Sequence, residues 1–306
     1  MEGKSEELEG EMEVEAYRRL FPLQFYERHL SDSVRPDARP LNKTRPTSIV
    51  PAPLPSADAS AMVKIGNTTM LSGIKLEIMF PSSDSPDEGC IAIDFHMPPI
   101  CSPMVRPGRP AEAAPVISQQ LNNVIMSSKL IDLKELSIAS GKAAWMVYLE
   151  IYCLDADGAL FDAALLSAVA AIAHLEIPPV CLNEEGRVVS SQGQAETNTD
   201  NNGDTNNSNT EKRKLTLGSI PFSLTCLLHK QYLLVDPTDE EESIMPSLVT
   251  VVLDTSGHLI SLYKPGGPVL AYTSTIKNCV ALATRRVKEL EKILKEALSE
   301  MDVIEN

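Results

Sequence analysis

Two carboxylates, Asp236 and Glu242, have the residue type and spacing best suited to chemistry in this sequence. They stand six residues apart, with the acidic residues 239–241 between them, where a predicted strand ends. Clustered carboxylates can bind Mg²⁺ or transfer protons. A solvated acidic loop has the same composition, and the residues alone favour that simpler interpretation.

A pair of arginines, Arg106 and Arg109, forms a second candidate site on a loop that is stiffened by Pro107 and Pro110. Each guanidinium presents a rigid fork of donors that fits a phosphate group. The pair is consistent with a phosphate clamp, and equally with ordinary surface salt bridges. The residues leave both interpretations open.

Other motifs of catalytic or metal-binding type are weak. Ser140-Gly141-Lys142 lacks the remaining residues of a phosphate loop and precedes a strand, so it predicts a turn with an exposed lysine. Serine and cysteine triads have no counterpart in the pattern. The five histidines are far apart, and none lies at metal-ligand spacing from another. We therefore expect no metal and no cofactor.

Charge is distributed unevenly over the 306 residues, which carry a net charge of -15. Residues 1–15 contain seven glutamates and a single lysine, and the rest of the chain keeps about -9. A general nucleic-acid-binding surface would be basic, so any RNA contact must be local or belong to an assembly.

The six cysteines are scattered without a CxxC pair, which predicts reduced packing residues and a cytosolic or nuclear protein. The sequence shows no signal-peptide pattern and no apolar run approaching the ~20 residues of a membrane span. We expect a soluble protein.

The apolar pattern between residues 145 and 175 predicts a strand followed by a helix. Apolar side chains occupy alternate positions from Trp145 to Cys153, as in a pleated strand. Residues 163–175 are apolar nearly all round, which predicts a buried helix that lies close to a sheet. Asp162 is expected to cap its first turn.

The remaining pattern predicts a mixed-sheet α/β or α+β fold, because strands come before and after helices in two halves. Residues 15–26 predict two short helical pieces broken at Pro22. Further helices are predicted near 111–128 and 272–301. Further strands are predicted at 61–65, 69–78, 90–95, 220–228, 231–236, 248–253 and 258–263.

Composition divides the chain into four segments. Residues 1–30 form an acidic extension with short helices, and residues 31–185 form a first half-domain. Residues 186–214 form a polar insertion, predicted to be disordered because it can bury little apolar surface. Residues 215–306 form a second half that ends in the long helix.

Several short motifs, in order, resemble the RNase PH family. Residues 34–40 resemble its R-P-D-x-R opening, and residues 60–70 resemble its first hairpin, G-S-A-x-V-x-x-G-x-T. Residues 155–164 and 235–242 resemble its non-catalytic branch, which builds half of the six-membered ring of the archaeal and eukaryotic RNA exosome. The resemblance covers roughly residues 15–185 and 214–300, and residues 16–26 resemble one eukaryotic ring subunit in particular.

The resemblance implies two related halves of β-α-β type, similar to domain 2 of ribosomal protein S5. Active members of the family cleave the 3′ end of RNA by phosphorolysis. They need a Gly-Thr/Ser-Arg phosphate turn, an acidic pair, and arginines that hold RNA. Asp236 and Glu242 keep the spacing of that acidic pair.

This sequence departs from the active pattern at the phosphate turn, which reads Gly158-Ala159-Leu160-Phe161-Asp162. Asp162 stands where an arginine is needed, so repulsion of phosphate replaces attraction. Gln119 and Asn122 stand where active members carry arginines on the first long helix. The resemblance therefore implies a degenerate phosphate site and a degenerate acidic pair, with no catalytic residue.

The function implied is that of a structural subunit of the exosome core ring, in the nucleus, nucleolus and cytoplasm. Its expected partners are other RNase PH-like subunits, an S1/KH-type cap protein, and single-stranded RNA contacted by Arg106 and Arg109. One alternative is an active phosphorolytic exoribonuclease that uses the backbone of residues 157–159 with Asp236 and Glu242. Another is a composite site, in which Arg106 or Arg109 serves a neighbour's active centre.

Overall fold

The computed structural model describes residues 12–182, 188–190 and 212–304. The helices are α1 12–20, α2 Pro22–Ser31, α3 Ala113–Ser128, α4 Leu160–Ala173, α5 Asp239–Ile244 and α6 Thr273–Ile304, with a 3-10 turn at Leu133–Leu136. The strands are β1 Thr47–Pro51, β2 Ala59–Ile65, β3 Thr68–Met79, β4 Cys90–His96, β5 Ser137–Ala139, β6 Ala143–Asp155, β7 Glu176–Ile177, β8 Val180–Leu182, β9 Val188–Ser190, β10 Arg213–Lys214, β11 Pro221–His229, β12 Tyr232–Val235, β13 Leu248–Asp254 and β14 Leu259–Tyr263. In the described part of the chain, no helix is long and apolar enough to cross a membrane.

The first sheet runs in the order β1-β2-β3-β6-β4, and β5 pairs with β6. β4 is parallel to β6, and the chain crosses between them through α3, which packs on β4. In β6, Val147, Leu149 and Ile151 are buried, whereas Tyr148 and Tyr152 are exposed. The alternating strand predicted from the sequence is therefore confirmed.

The second sheet is antiparallel and runs in the order β12-β11-β13-β14. α4 packs against β2, β3 and β11, so it joins the two sheets. Residues 161–172 are all buried, which confirms the predicted buried helix. Its small side chains allow close approach: the hydroxyl of Ser72 donates to the carbonyl of Ser167 at 2.8 Å.

The long helix α6 packs against β1, β11 and β13, and so covers the second sheet. Its buried positions include Ala283, Val287, Leu290 and Leu294, the stripe predicted from the sequence. The predicted break near the N-terminus is also confirmed, because Pro22 is the first residue of α2, where its missing N–H costs little.

The acidic stretch after β12 is a short helix, α5, and not the loop that the sequence predicts. Thr238 and Glu241 form a capping box, in which each side chain bonds the backbone N–H of the other residue. This reciprocal capping satisfies two amides of the first turn and stabilises a helix of only six residues.

The margins of the segment predicted to be disordered lie in strands, so the prediction is wrong there. β9 pairs with β8, and β10 pairs with β7. The predicted disorder of the rest of the insertion falls on residues 191–211 and 186–187, which lie outside the described residues.

Candidate functional site

A buried arginine, Arg45, connects the segment after β12 to the turn before α4. Its Nη2 donates to Oδ1 of Asp236 at 2.7 Å, and its backbone N–H donates to Oδ2 of the same carboxylate at 2.6 Å. Arg45 is 5% exposed and Asp236 is 3% exposed. Because the pair is shielded from water and well aligned, each charge depends on the other.

Arg45 and Thr68 also fix the turn itself. Nη1 of Arg45 donates to the carbonyl of Asp157 and lies 3.4 Å from its carboxylate. The hydroxyl of Thr68, at the start of β3, donates to the carbonyl of Gly158 at 2.8 Å and accepts from the N–H of Asp157 at 3.2 Å. The N–H and carbonyl of Asp157 and the carbonyl of Gly158 are therefore bonded within the protein.

Glu242 occupies the N-terminal end of α4. Its Oε1 accepts a hydrogen bond of 2.8 Å from the backbone N–H of Ala159, the residue that precedes the helix. A carboxylate at this position interacts favourably with the helix dipole, and it takes one of the N–H groups that a bound anion would use. Burial raises the pKa of Glu242 to about 7, although the Ala159 N–H opposes that shift.

Gly158 allows the segment after β12 to lie directly on the turn. Its φ of 71° is left-handed. A Cβ at this position would lie 2.5 Å from the carbonyl oxygen of Pro237 and 2.7 Å from the backbone nitrogen of Asp239. Glycine therefore meets two requirements here, the backbone conformation and the close approach.

The prediction that Asp162 caps α4 is wrong. Asp162 lies inside the first turn, and its carboxylate accepts from the backbone N–H of Thr225 at 2.6 Å and from its hydroxyl at 3.1 Å. Burial raises the pKa of Asp162 to about 6. The carboxylate that opposes an anion at the turn is therefore Glu242, because Asp162 is drawn towards β11.

Ala159 and Leu160 are the other two residues predicted to form a degenerate phosphate site. Ala159 is buried, and Leu160 is partly buried against the main core. Their apolar side chains offer no donor to an anion, so recognition would depend on backbone amides, of which those of Asp157 and Ala159 are bonded to Thr68 and Glu242.

Asp236 and Glu242 do not form an open cation site. The oxygens of Asp236 contact Arg45, and Arg39 approaches the same carboxylate at 3.7 Å. Among the described residues, no cluster of three or more His, Cys, Asp or Glu side chains could hold a metal ion. Instead, Glu242 bonds the turn before α4, and Asp236 bonds Arg45 in the segment before β1.

The R-P-D-x-R motif contacts the same acidic segment from the other side. Arg35 is 1% exposed, and its Nε lies 3.3 Å from Oε1 of Glu241. Burial lowers the pKa of Arg35, and the charge of Glu241 opposes that effect. Nη1 of Arg39 donates to the carbonyl of Asp236 at 3.3 Å. The motif therefore has a structural role here.

Arg106 and Arg109 are both exposed, on the loop between β4 and α3. Nη2 of Arg109 bonds Oε1 of Glu112 at 2.6 Å, so part of its charge is balanced. The loop reaches the end of β6, because the N–H of Ala156 donates to the carbonyl of Cys101 at 3.0 Å. The structure places the arginines on the surface and outside the turn.

Gln119, Asn122 and the Ser140-Gly141-Lys142 segment lie outside the turn before α4. Gln119 donates to Asn123 at 3.0 Å on the exposed side of α3, and Asn122 is half-buried on that helix. The N–H of Gly141 donates to the carbonyl of Pro86 at 2.9 Å, in a turn as predicted. Sequence reasoning missed Arg45 altogether, although it lies beside Arg35 and Arg39 in a segment whose charge complements the acidic run.

Two family models match this chain. Residues 43–178 match RNase_PH, described as "3' exoribonuclease family, domain 1", and residues 219–286 match RNase_PH_C, described as "3' exoribonuclease family, domain 2". The two matched ranges lie on either side of the predicted polar insertion.

Relatives of similar length carry the names of exosome components. The chain is 32% identical over 266 residues to "Exosome complex component Rrp42" of Methanopyrus kandleri, which covers 86% of this chain and 92% of that protein. It is 31% identical over 272 residues to "Exosome complex component rrp43" of Schizosaccharomyces pombe, which covers 87% and 93%.

The fold is similar to chains of two solved exosome structures. A chain of "archaeoglobus fulgidus exosome with RNA bound to the active site" superimposes with a TM-score of 0.75 at 26% identity, over 92% of this chain and 98% of that chain. A chain of "Archaeal exosome core" superimposes with a TM-score of 0.71 at 25% identity, over 93% and 98%.

Proposed function

The chain belongs to the 3′ exoribonuclease family, of which it carries domain 1 and domain 2, and from that membership we propose that it is a non-catalytic structural subunit of an RNA exosome core ring. The expected family and the expected mixed α/β fold are confirmed. The names of its relatives and of the structures that share its fold support the exosome role. In that role the subunit helps to form the channel that delivers RNA for 3′-to-5′ processing and degradation, including rRNA maturation and mRNA turnover.

The proposal that the subunit is non-catalytic rests on the turn before α4, where Glu242 accepts from the N–H of Ala159. A phosphate ion at the start of α4 would compete with Glu242 for the N–H of Ala159. It would also meet Arg45, whose charge is already balanced by Asp236. Phosphate has a charge near -2 at neutral pH, so both the missing donor and the nearby carboxylates oppose its binding.

We propose three kinds of partner: other RNase PH-like subunits in a six-membered ring, an S1/KH-type cap protein, and single-stranded RNA in the channel. RNA contact is assigned to Arg106 and, more weakly, to Arg109, which already pairs with Glu112.

We place the subunit in the nucleus, nucleolus and cytoplasm. This location is supported by the free thiols, which are typical of a reducing compartment: Cys90, Cys101, Cys153, Cys226 and Cys279. Imaging of a fluorescent fusion with nucleolar and cytoplasmic markers tests the location.

Affinity purification of the tagged full chain tests the architectural role. We expect it to elute in one large complex together with RNase PH-like proteins and an S1- or KH-containing protein, identified by mass spectrometry. A chain that elutes only as an isolated monomer contradicts the proposal.

An assay of the purified chain with phosphate, Mg²⁺ and a 3′-tailed RNA tests the absence of catalysis. We expect no release of nucleoside diphosphates. Phosphate-dependent release that disappears in Asp236→Asn would instead establish the alternative, an active exoribonuclease.

A further inference from the structure

A cleft of about 330 Å³ lies between α6, the second sheet and the segment before β1. Leu224, Val235 and Leu282 form its apolar part. On β11, the hydroxyl of the neighbouring residue Thr225 contacts Asp162 of α4. Because successive strand residues point to opposite faces, the cleft lies on the other face of the sheet from the degenerate turn.

The rim of this cleft carries an excess of positive charge, in contrast to the chain as a whole. Lys43, Arg285 and Arg286 line it, with Glu289 as the acidic residue. Arg286 is 8% exposed and pairs with Glu289 at 3.1 Å. Within the described part of the chain, Lys43 and Arg285 have no carboxylate in ion-pair distance, and Arg285 donates to the carbonyl of Asn42 at 3.0 Å.

We propose that this cleft binds an acidic peptide segment of a partner protein, with one aliphatic side chain against Leu282 and carboxylates paired with Lys43 and Arg285. Charge complementarity selects an anion. The apolar part selects a ligand with an aliphatic group, and the volume is at the small end of ligand sites, which suits a short segment. The inference does not depend on the exosome role.

The lining favours a peptide over single-stranded RNA. Proteins that bind single strands without sequence preference stack the bases on aromatic side chains, and the lining residues include none. A peptide needs only the aliphatic surface and the two cations.

The test measures fluorescence anisotropy of labelled acidic heptapeptides, each with one central leucine, isoleucine or valine, titrated with the full chain. Lys43→Glu with Arg285→Glu reverses the rim charge. Lys288→Glu with Lys292→Glu is the matched control, since both lysines are exposed on α6 outside the cleft and the change in charge is identical. Thermal unfolding checks that both variants fold, and Lys43→Gln with Arg285→Gln replaces the reversal pair if it does not.

We expect saturable binding that weakens about tenfold or more in the reversal variant and stays within about twofold of wild type in the control. Replacing the aliphatic residue of the peptide by serine should also weaken binding about tenfold. The proposal is overturned if no aliphatic peptide binds, or if both variants lose affinity equally. It is also overturned if only a labelled oligouridylate binds and that binding is lost in the reversal variant, because the cleft would then be a phosphate site.

Discussion

Glu242 places its carboxylate at the start of α4, on the N–H of Ala159, one of the amides that a bound anion would use. The hydrogen bond to the Ala159 N–H stabilises the charged form, but burial opposes it more strongly and raises the pKa to about 7. At neutral pH the residue is therefore close to its midpoint, and its charge responds to pH over a range in which an exposed glutamate is fully ionised.

The raised pKa predicts that stability falls as pH rises from about 4.5 to about 7, because the folded state binds more protons than the unfolded state in that window. Glu242→Gln should remove this part of the slope, since the amide oxygen still accepts from Ala159. The free energy of unfolding of the variant minus that of wild type should therefore increase by on the order of 3 kcal/mol as pH rises from about 4.5 to about 7. Urea unfolding at a series of pH values measures the slope.

Asp162 contributes a similar fall between about 3.8 and about 6 in both proteins, so the difference between wild type and Glu242→Gln isolates Glu242. Glu296→Gln, which alters a carboxylate that is 60% exposed, is the control and should leave the slope unchanged. Parallel pH curves for wild type and Glu242→Gln would show that Glu242 is not buried at the turn.

Arg45→Met is expected to destabilise the protein by about 3–5 kcal/mol, because it leaves the carboxylate of Asp236 buried without a partner. Adding Asp236→Asn should recover much of that loss, since the unpaired charge is then removed. Urea unfolding of wild type, the single variant and the double variant measures both effects. As a control, Arg19→Met removes an exposed pair with Glu15 and should cost about 1 kcal/mol or less.

If Arg45→Met alone and the double variant lose the same stability, then the charge of Asp236 is not what Arg45 balances. The loss would then come from the hydrogen bonds that Arg45 makes to the turn carbonyls.

At the scale of elements, the contact between the turn and the segment after β12 predicts a large effect of Gly158→Ala. The methyl group would collide with Pro237 and Asp239 in addition to the strain of a positive φ. Gly141 is the matched control, since its φ is 66° and a Cβ would meet nothing within 4 Å. We expect Gly141→Ala to cost about 1–2 kcal/mol and Gly158→Ala to cost a further ~1–3 kcal/mol in urea unfolding. Equal costs would mean that the two segments are not in contact.

The elements that local pattern specifies could be predicted from the sequence. The alternation of β6 and the uniformly apolar α4 each show their burial within a few residues of chain. Helix α5 was not predicted, because its four acidic residues are also typical of a solvated loop. The available signal was the Thr238–Glu241 capping pattern.

The site could be predicted only in part, because its decisive contacts join residues that are remote in sequence. Arg45 and Asp236 are 191 residues apart, and Asp162 and Thr225 are 63 residues apart. A local rule assigns Asp162 to the helix cap, yet the two hydrogen bonds from Thr225 outweigh that preference. The family resemblance located the turn in the sequence. The structure was needed to identify Glu242 as the side chain that bonds its backbone.

At the scale of the whole molecule, a net charge of -15 opposes binding of RNA to the isolated chain. RNA affinity in the proposed ring must therefore come from local cations that face the channel. Each such contact releases counterions from the RNA. It therefore raises the affinity and also makes the affinity fall more steeply with salt concentration.

Arg106→Ala is therefore expected to reduce the slope of log affinity against log salt by about 0.7 for single-stranded RNA, the share of one phosphate contact. Arg109→Ala should reduce it less, because Glu112 lies 2.6 Å from that guanidinium and already balances part of its charge. Anisotropy of labelled oligouridylate on the reconstituted ring, between about 50 and about 200 mM salt, measures both slopes. Lys292→Ala is the control on α6, and gel filtration shows whether each ring assembles. An intact ring whose slope is unchanged by Arg106→Ala would mean that this loop does not face the RNA, and the cations of other subunits would have to hold it.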